Sequence, residues 1–312
     1  MGSYSFCSQK EDTDLLVFLR PLRDAATALP PTVRGMIWMA LSGLVFTVLN
    51  TIMRMLTTEM DSFQTQFLRY ICGVAVMMPL VLRAGLASYA PRGLKGQLWR
   101  GVIHTAGITL WFIALPHLTL ADITAIGFTG PIFVMLGAVL LLGEKPIWER
   151  WVASAIGFLG VMIVVAPKFQ GGGGIYALFM LASAPLFAGS FLITKALTRR
   201  DRPEVIVVWQ SITVSLFSFP MAALHWSWPT ISQWALFMLC GGIGSAGHYF
   251  SNRALRATDV SATQSIKFLD LIWSALAGLS VFGDVPTGTT MIGAAVIFVS
   301  TSWIARREAR GK

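Results

Sequence analysis

The chain has 312 residues, 55% of them hydrophobic and only 12% charged, with a formal net charge of +9. Soluble domains carry about 25% charged residues, so this composition excludes an ordinary soluble protein and points to a chain solvated by lipid. The cysteines, Cys7, Cys72 and Cys240, lack metal-ligand spacing and two lie in apolar runs, so they read as packing residues and neither a disulfide framework, a metal nor a cofactor is expected.

Residues 1–34 read as a cytoplasmic tail, since "LLVFLR" is too short for a signal-peptide core and follows acidic rather than basic residues. Ten apolar segments follow, near 35–56, 63–83, 97–116, 120–142, 148–166, 174–197, 204–224, 232–254, 260–282 and 287–305. Each has about the 17 to 25 residues a helix needs to cross a bilayer, and only helices or closed barrels satisfy their backbone in lipid. The predicted fold is an all-α integral membrane protein of ten transmembrane helices. The glycines at 171–174 mark an external linker, 167–173, between two halves at 35–166 and 174–305, and a basic tail occupies 306–312. Pro131 and Pro185 are predicted to interrupt the fourth and sixth helices.

Twenty of the twenty-four Lys and Arg residues fall in the N-terminal tail and alternate loops, including Arg100 and Arg150, against Arg54 and Lys168 on the opposite side. Arg69 and Lys267 lie within spans. This bias places both termini in the cytoplasm at the inner membrane, and it makes the positive charge topological rather than a nucleic-acid footprint. Gly242, Gly244 and Gly247 spell a dinucleotide-type pattern inside an apolar span, where they read as close-packing residues. His117 and Asp122 have H-x4-D spacing without a supporting second motif, which leaves an intramembrane enzyme as the weaker alternative.

An internal repeat is legible. An offset of 140 aligns 101–161 with 241–301 without a gap and with fourteen identities, among them Phe128 with Phe268; an offset of 141 extends the match upstream and pairs Arg69 with Gln210 and Arg54 with Lys195. Five spans per repeat is odd, so the halves are inverted, as in many secondary transporters whose substrate site lies near the midplane at the repeat interface.

The turn "LLGEKPIWERWVASAIGFLGVMIV", its echo "VFGDVPTGTTMIGAAVIFVS" and the span opening "QFLRY" resemble the drug/metabolite transporter superfamily, in its EamA-type branch, over residues 35–305. That resemblance implies a ten-helix carrier working by alternating access, with a central cavity lined by the first four helices of each repeat. Within it, "IWERWV" is most similar to carriers of bulky metabolites such as S-adenosylmethionine or riboflavin. A broad-specificity exporter of the same fold is the alternative.

Lys267 and Asp270 are the foremost candidates for the site. At the helical rise they lie roughly 10 and 15 Å deep, three residues apart on one face, where an ion pair is expected. A purely structural pair is the competing reading, but ionisable residues at this depth are functional candidates by default. Gln264 and Trp273 continue the stripe. Arg69, about 9 Å inside span two, its partner Gln210, Asn50, His248 and Trp111 complete the predicted substrate contacts, with Arg54 and Lys195 as gates. His104 reads as a hydrogen-bonded residue between helices. The expected partner is a small metabolite of anionic, zwitterionic or aromatic character, in a membrane-lipid environment.

Overall fold

A computed structural model describes residues 29–118, 123, 126–127, 129–165, 174–282 and 288–310. Most of the predicted tail, the linker 167–173, Asp122, Lys168 and the turn between the last two spans lie outside the described residues.

The described residues form eleven α-helices and one 3-10 turn, with no strand among them. In chain order the helices are α1 (Pro31–Glu59), α2 (Ser62–Ala84), α3 (Leu94–Ala114), α4 (Gly130–Leu142), α5 (Trp148–Val165), α6 (Gly174–Leu197), α7 (Pro203–Leu224), α8 (Ile231–Ala257), α9 (Val260–Lys267), α10 (Leu269–Phe282) and α11 (Gly288–Arg310). Among the described residues, α1, α2, α7 and the Leu178–Leu197 part of α6 are long and apolar enough to cross a bilayer. Local chemistry sets several boundaries. Pro31 opens α1 at a position where its missing N–H costs nothing, and Asp61 caps α2 by accepting from Phe63 N at 2.8 Å. Thr230 and Gln233 form a capping box on α8, and Gly143 ends α4 in the left-handed region at φ 67°.

The helices pair across the two halves of the chain. α1 lies along α8 and α3 along α6, while α2 packs on α7 and α5 on α11. α1 also meets α9 and α10, as α6 meets α4. Small residues permit the closest of these crossings: a Cβ on Gly241 of α8 would come within 2.6 Å of the Cys72 carbonyl carbon on α2. Cys72 and Cys240 are buried free thiols in the same interior.

Three expectations change. The ninth apolar segment is two helices, α9 and α10, that meet at Phe268. Phe268 is fully buried with Leu271 and Ile297 and lies against Gly157, where a Cβ would sit 2.7 Å from the ring; Leu271 N returns to the Phe268 carbonyl at 3.3 Å. Packing of that side chain, with no proline or glycine in the sequence to announce it, accompanies the break. Pro185, by contrast, sits inside an unbroken α6, and Pro131 occupies the first turn of α4. Finally, Arg100 and Arg150 belong to α3 and α5 and are only 3% exposed, so they are interior groups rather than loop charges.

Candidate functional site

A cavity of about 310 Å³ lies among α1, α2, α3, α4 and α6 to α10. That is the lower end of the range of small-molecule sites. Its lining includes the sequence candidates Asn50, Arg69, Trp111, Gln210, His248, Gln264, Lys267 and Asp270. Trp273 is not part of the lining, and its buried indole Nε1 has no hydrogen-bond partner.

One wall is a continuous polar network. Arg100 donates from Nη1 to the Ile206 carbonyl at 3.1 Å and from Nη2 to Gln210 Oε1. With its oxygen held by the guanidinium, the Gln210 amide turns its NH2 toward His104 Nε2 at 2.9 Å and His248 Nε2 at 3.3 Å. The amide thus offers a proton to the Nε2 of each ring, which each imidazole can accept in its neutral Nδ1–H form. The Tyr70 hydroxyl lies 2.9 Å from the same His104 Nε2, so amide and hydroxyl share its one lone pair, and His104 Nδ1 faces Ser190 Oγ at 3.2 Å. The sequence reading passed over Arg100, Tyr70 and Ser190. The available signal was the spacing of Arg100 and His104, four apart and hence on one face of α3.

Beside this network lies an aromatic cluster. His248 meets Phe46 edge-on at 4.9 Å and lies nearly parallel to Tyr70 at 6.4 Å between ring centres. Arg69 places its guanidinium carbon 4.3 Å from the Tyr70 ring centre. It is 6% exposed, and its Nε and Nη1 have no hydrogen-bond partner. Gly244 makes room for it, since a Cβ there would stand 3.0 Å from Nη2.

The opposite wall carries Lys267 and Asp270. The expected ion pair does not form: among the described residues no ion pair joins the two, which lie on either side of the turn at Phe268. Lys267 Nζ lies 5.7 Å from the Phe191 ring centre. The Asp270 carboxylate rests against Gly43 of α1, where any Cβ would overlap Oδ1. In the internal repeat Lys267 and Asp270 correspond to Gly127 and Gly130, which also line the cavity. These two charges therefore belong to the second half alone, with glycines at the equivalent positions of the first.

Neither Arg54 nor Lys195 lines the cavity. Lys195 Nζ donates to the carbonyls of Leu255 at 2.8 Å and Thr258 at 2.5 Å, where α8 ends. Alongside, Glu144 accepts from Val260 N at 2.8 Å and Ser261 N at 3.3 Å at the start of α9, and Arg150 pairs with Asp259 at 3.2 Å and Ser261 Oγ at 2.8 Å. These groups form a charged latch where α4, α5, α6, α8 and α9 converge.

The EamA-like transporter family matches twice, at residues 33–166 and 174–306. Among curated relatives, the riboflavin transporter of Rhizobium johnstonii is 34% identical over 94% of this chain and 98% of its own. The S-adenosylmethionine uptake transporter of Rickettsia bellii is 30% identical over 88% and 94%, and the pseudopaline exporter of Pseudomonas aeruginosa is 25% identical over 88% and 96%. A solved crystal structure of a protein 18% identical superposes with a TM-score of 0.69 over 88% of this chain and 98% of that one, a likeness of fold alone. The relatives are named for transport and not for catalysis. The apolar helices and two family matches make this chain a multi-pass membrane protein that belongs to the EamA-like transporter family.

Proposed function

We propose that the protein is a secondary carrier that moves a small organic metabolite across the inner membrane by alternating access to the cavity. In this reading ten spans form two inverted five-helix repeats, 35–166 and 174–305, with both termini cytoplasmic. The observation that carries it is the origin of the cavity wall: α1 to α4 of the first half and α6 to α10 of the second line one cavity. The reciprocal pairing of α1 with α8 and α3 with α6 supports a two-fold relation between the halves. Riboflavin and S-adenosylmethionine, named for two relatives, are the first substrates to try. Both carry a planar heteroaromatic ring system, and the cavity offers Phe46, Tyr70, Trp111 and His248 as ring partners.

Uptake of labelled riboflavin and S-adenosylmethionine into proteoliposomes tests the reading. Saturable uptake of at least one is expected, and Ala184→Trp, which fills the cavity, should bring it to background while the protein still reconstitutes. Undiminished uptake in that variant would place the route elsewhere. Accessibility of C-terminal tags from the cytoplasmic side checks the topology, and an external C-terminus would refute the inverted arrangement.

A further inference from the structure

We infer that Arg69 is the anchor of an oxyanion subsite, so that the preferred cargo carries a carboxylate or phosphate beside a planar ring. The inference rests on the carrier reading and narrows its substrate class. Three cationic side chains and one carboxylate line the cavity: Arg69, Arg100 and Lys267 against Asp270. With both histidines neutral, the lining has an excess of positive charge that no described residue cancels.

The cations differ in what they already hold. Arg100 is committed to the Ile206 carbonyl and to Gln210. Arg69 is 6% exposed, and its Nε and Nη1 find no acceptor. Guanidinium is a planar fork that matches carboxylate or phosphate oxygens two at a time, and it cannot shed its proton to escape burial. Two idle donors of this kind on a side chain that lines the cavity are therefore arranged for an acceptor that arrives from outside. Stacking on Tyr70 and the berth opposite Gly244 hold the group in place without using its hydrogen bonds. The nearly parallel Tyr70 and His248 rings lie next to it, so an anion on Arg69 brings an attached ring against an aromatic surface. The chain's own repeat places neutral Gln210 at the position equivalent to Arg69, which makes Arg69→Gln a replacement of matched character.

The test is thermal unfolding and ligand titration of the full chain in mild detergent at constant ionic strength, with two matched pairs of probes. Riboflavin 5′-phosphate against riboflavin reads the phosphate arm; benzoate against benzamide reads the carboxylate arm. In the wild type at least one anion should stabilise more than its neutral counterpart, and Arg69→Gln should bind that anion roughly tenfold or more weakly while leaving the neutral probe unchanged. Arg69→Lys should retain part of the preference. Without ligand, Arg69→Gln should unfold at a higher temperature than the wild type, because it removes an uncompensated buried charge; a structural anchor would predict the reverse. A lower midpoint, no anion preference in the wild type, or a preference that survives Arg69→Gln overturns the subsite. Riboflavin or S-adenosylmethionine transport that persists in such a case leaves the carrier reading intact.

Discussion

A single amide organises the centre of the molecule. Gln210 receives the Arg100 guanidinium on one side and presents donors to His104 and His248 on the other, so four side chains from α3, α7 and α8 share one hydrogen-bond pattern. Removing the amide leaves a buried guanidinium N–H and the His248 Nε2 short of a partner, while His104 Nε2 keeps the Tyr70 hydroxyl, and each orphaned buried group costs about 1–3 kcal/mol. Gln210→Leu should therefore destabilise the protein by about 2 kcal/mol or more in denaturant unfolding. A change under about 0.5 kcal/mol would mean that water replaces the amide and that the network is not structural. Gly43 acts at the same scale. Gly43→Ala should displace the Asp270 carboxylate and reduce uptake more than it reduces abundance in the membrane, read by transport and by quantitative blotting of one sample.

The break between α9 and α10 is the element-level feature with the largest consequence. Lys267 and Asp270 lie on either side of it, and both line the cavity. Two supports hold it. Phe268 is seated against Gly157, and Glu144 accepts the backbone N–H groups at the start of α9. Gly157→Ala would press a methyl into the Phe268 ring, a form of overpacking that costs about 1–3 kcal/mol. Glu144→Ala removes a cap, worth about 0.5–2 kcal/mol. Thermal unfolding of the two variants checks both magnitudes, and a neutral Gly157→Ala would show that the break does not depend on this contact. The same latch explains why Lys195, expected at a gate, is engaged with the end of α8.

For the whole molecule, stability and cavity shape depend on the crossings between the halves more than on any one helix. Leu68 and Phe237 are fully buried within one apolar cluster with Cys72 and Cys240, and Ser42 of α1 donates to the Gly247 carbonyl of α8 at 2.9 Å. Gly241→Val would drive a branched side chain into the α2 backbone, where no side chain can move aside. It should cost about 3 kcal/mol or more and should also abolish uptake, whereas Gly242→Ala, beside it with more room, should be tolerated; equal behaviour of the two would show that this crossing is not tight.

The sequence by itself determined the solvent and the approximate limits of the apolar segments, because burial in lipid is a sum over consecutive residues that hydropathy reads directly. It also carried the repeat, and through intramembrane depth it singled out Lys267, Asp270, Arg69 and Gln210, residues whose polarity is anomalous wherever the helix points. What only the tertiary structure decided are quantities that depend on rotation about a helix axis and on distance between helices. Arg100 counted as a loop charge until α3 turned it onto Gln210, and Trp273 followed the predicted stripe yet lies outside the cavity lining that Asp270 and Ser274 of the same helix reach. The latch of Glu144, Arg150 and Lys195 joins groups more than fifty residues apart, so no local pattern encodes it. Those partners are chosen by packing, which hydrophobic periodicity constrains only to a face.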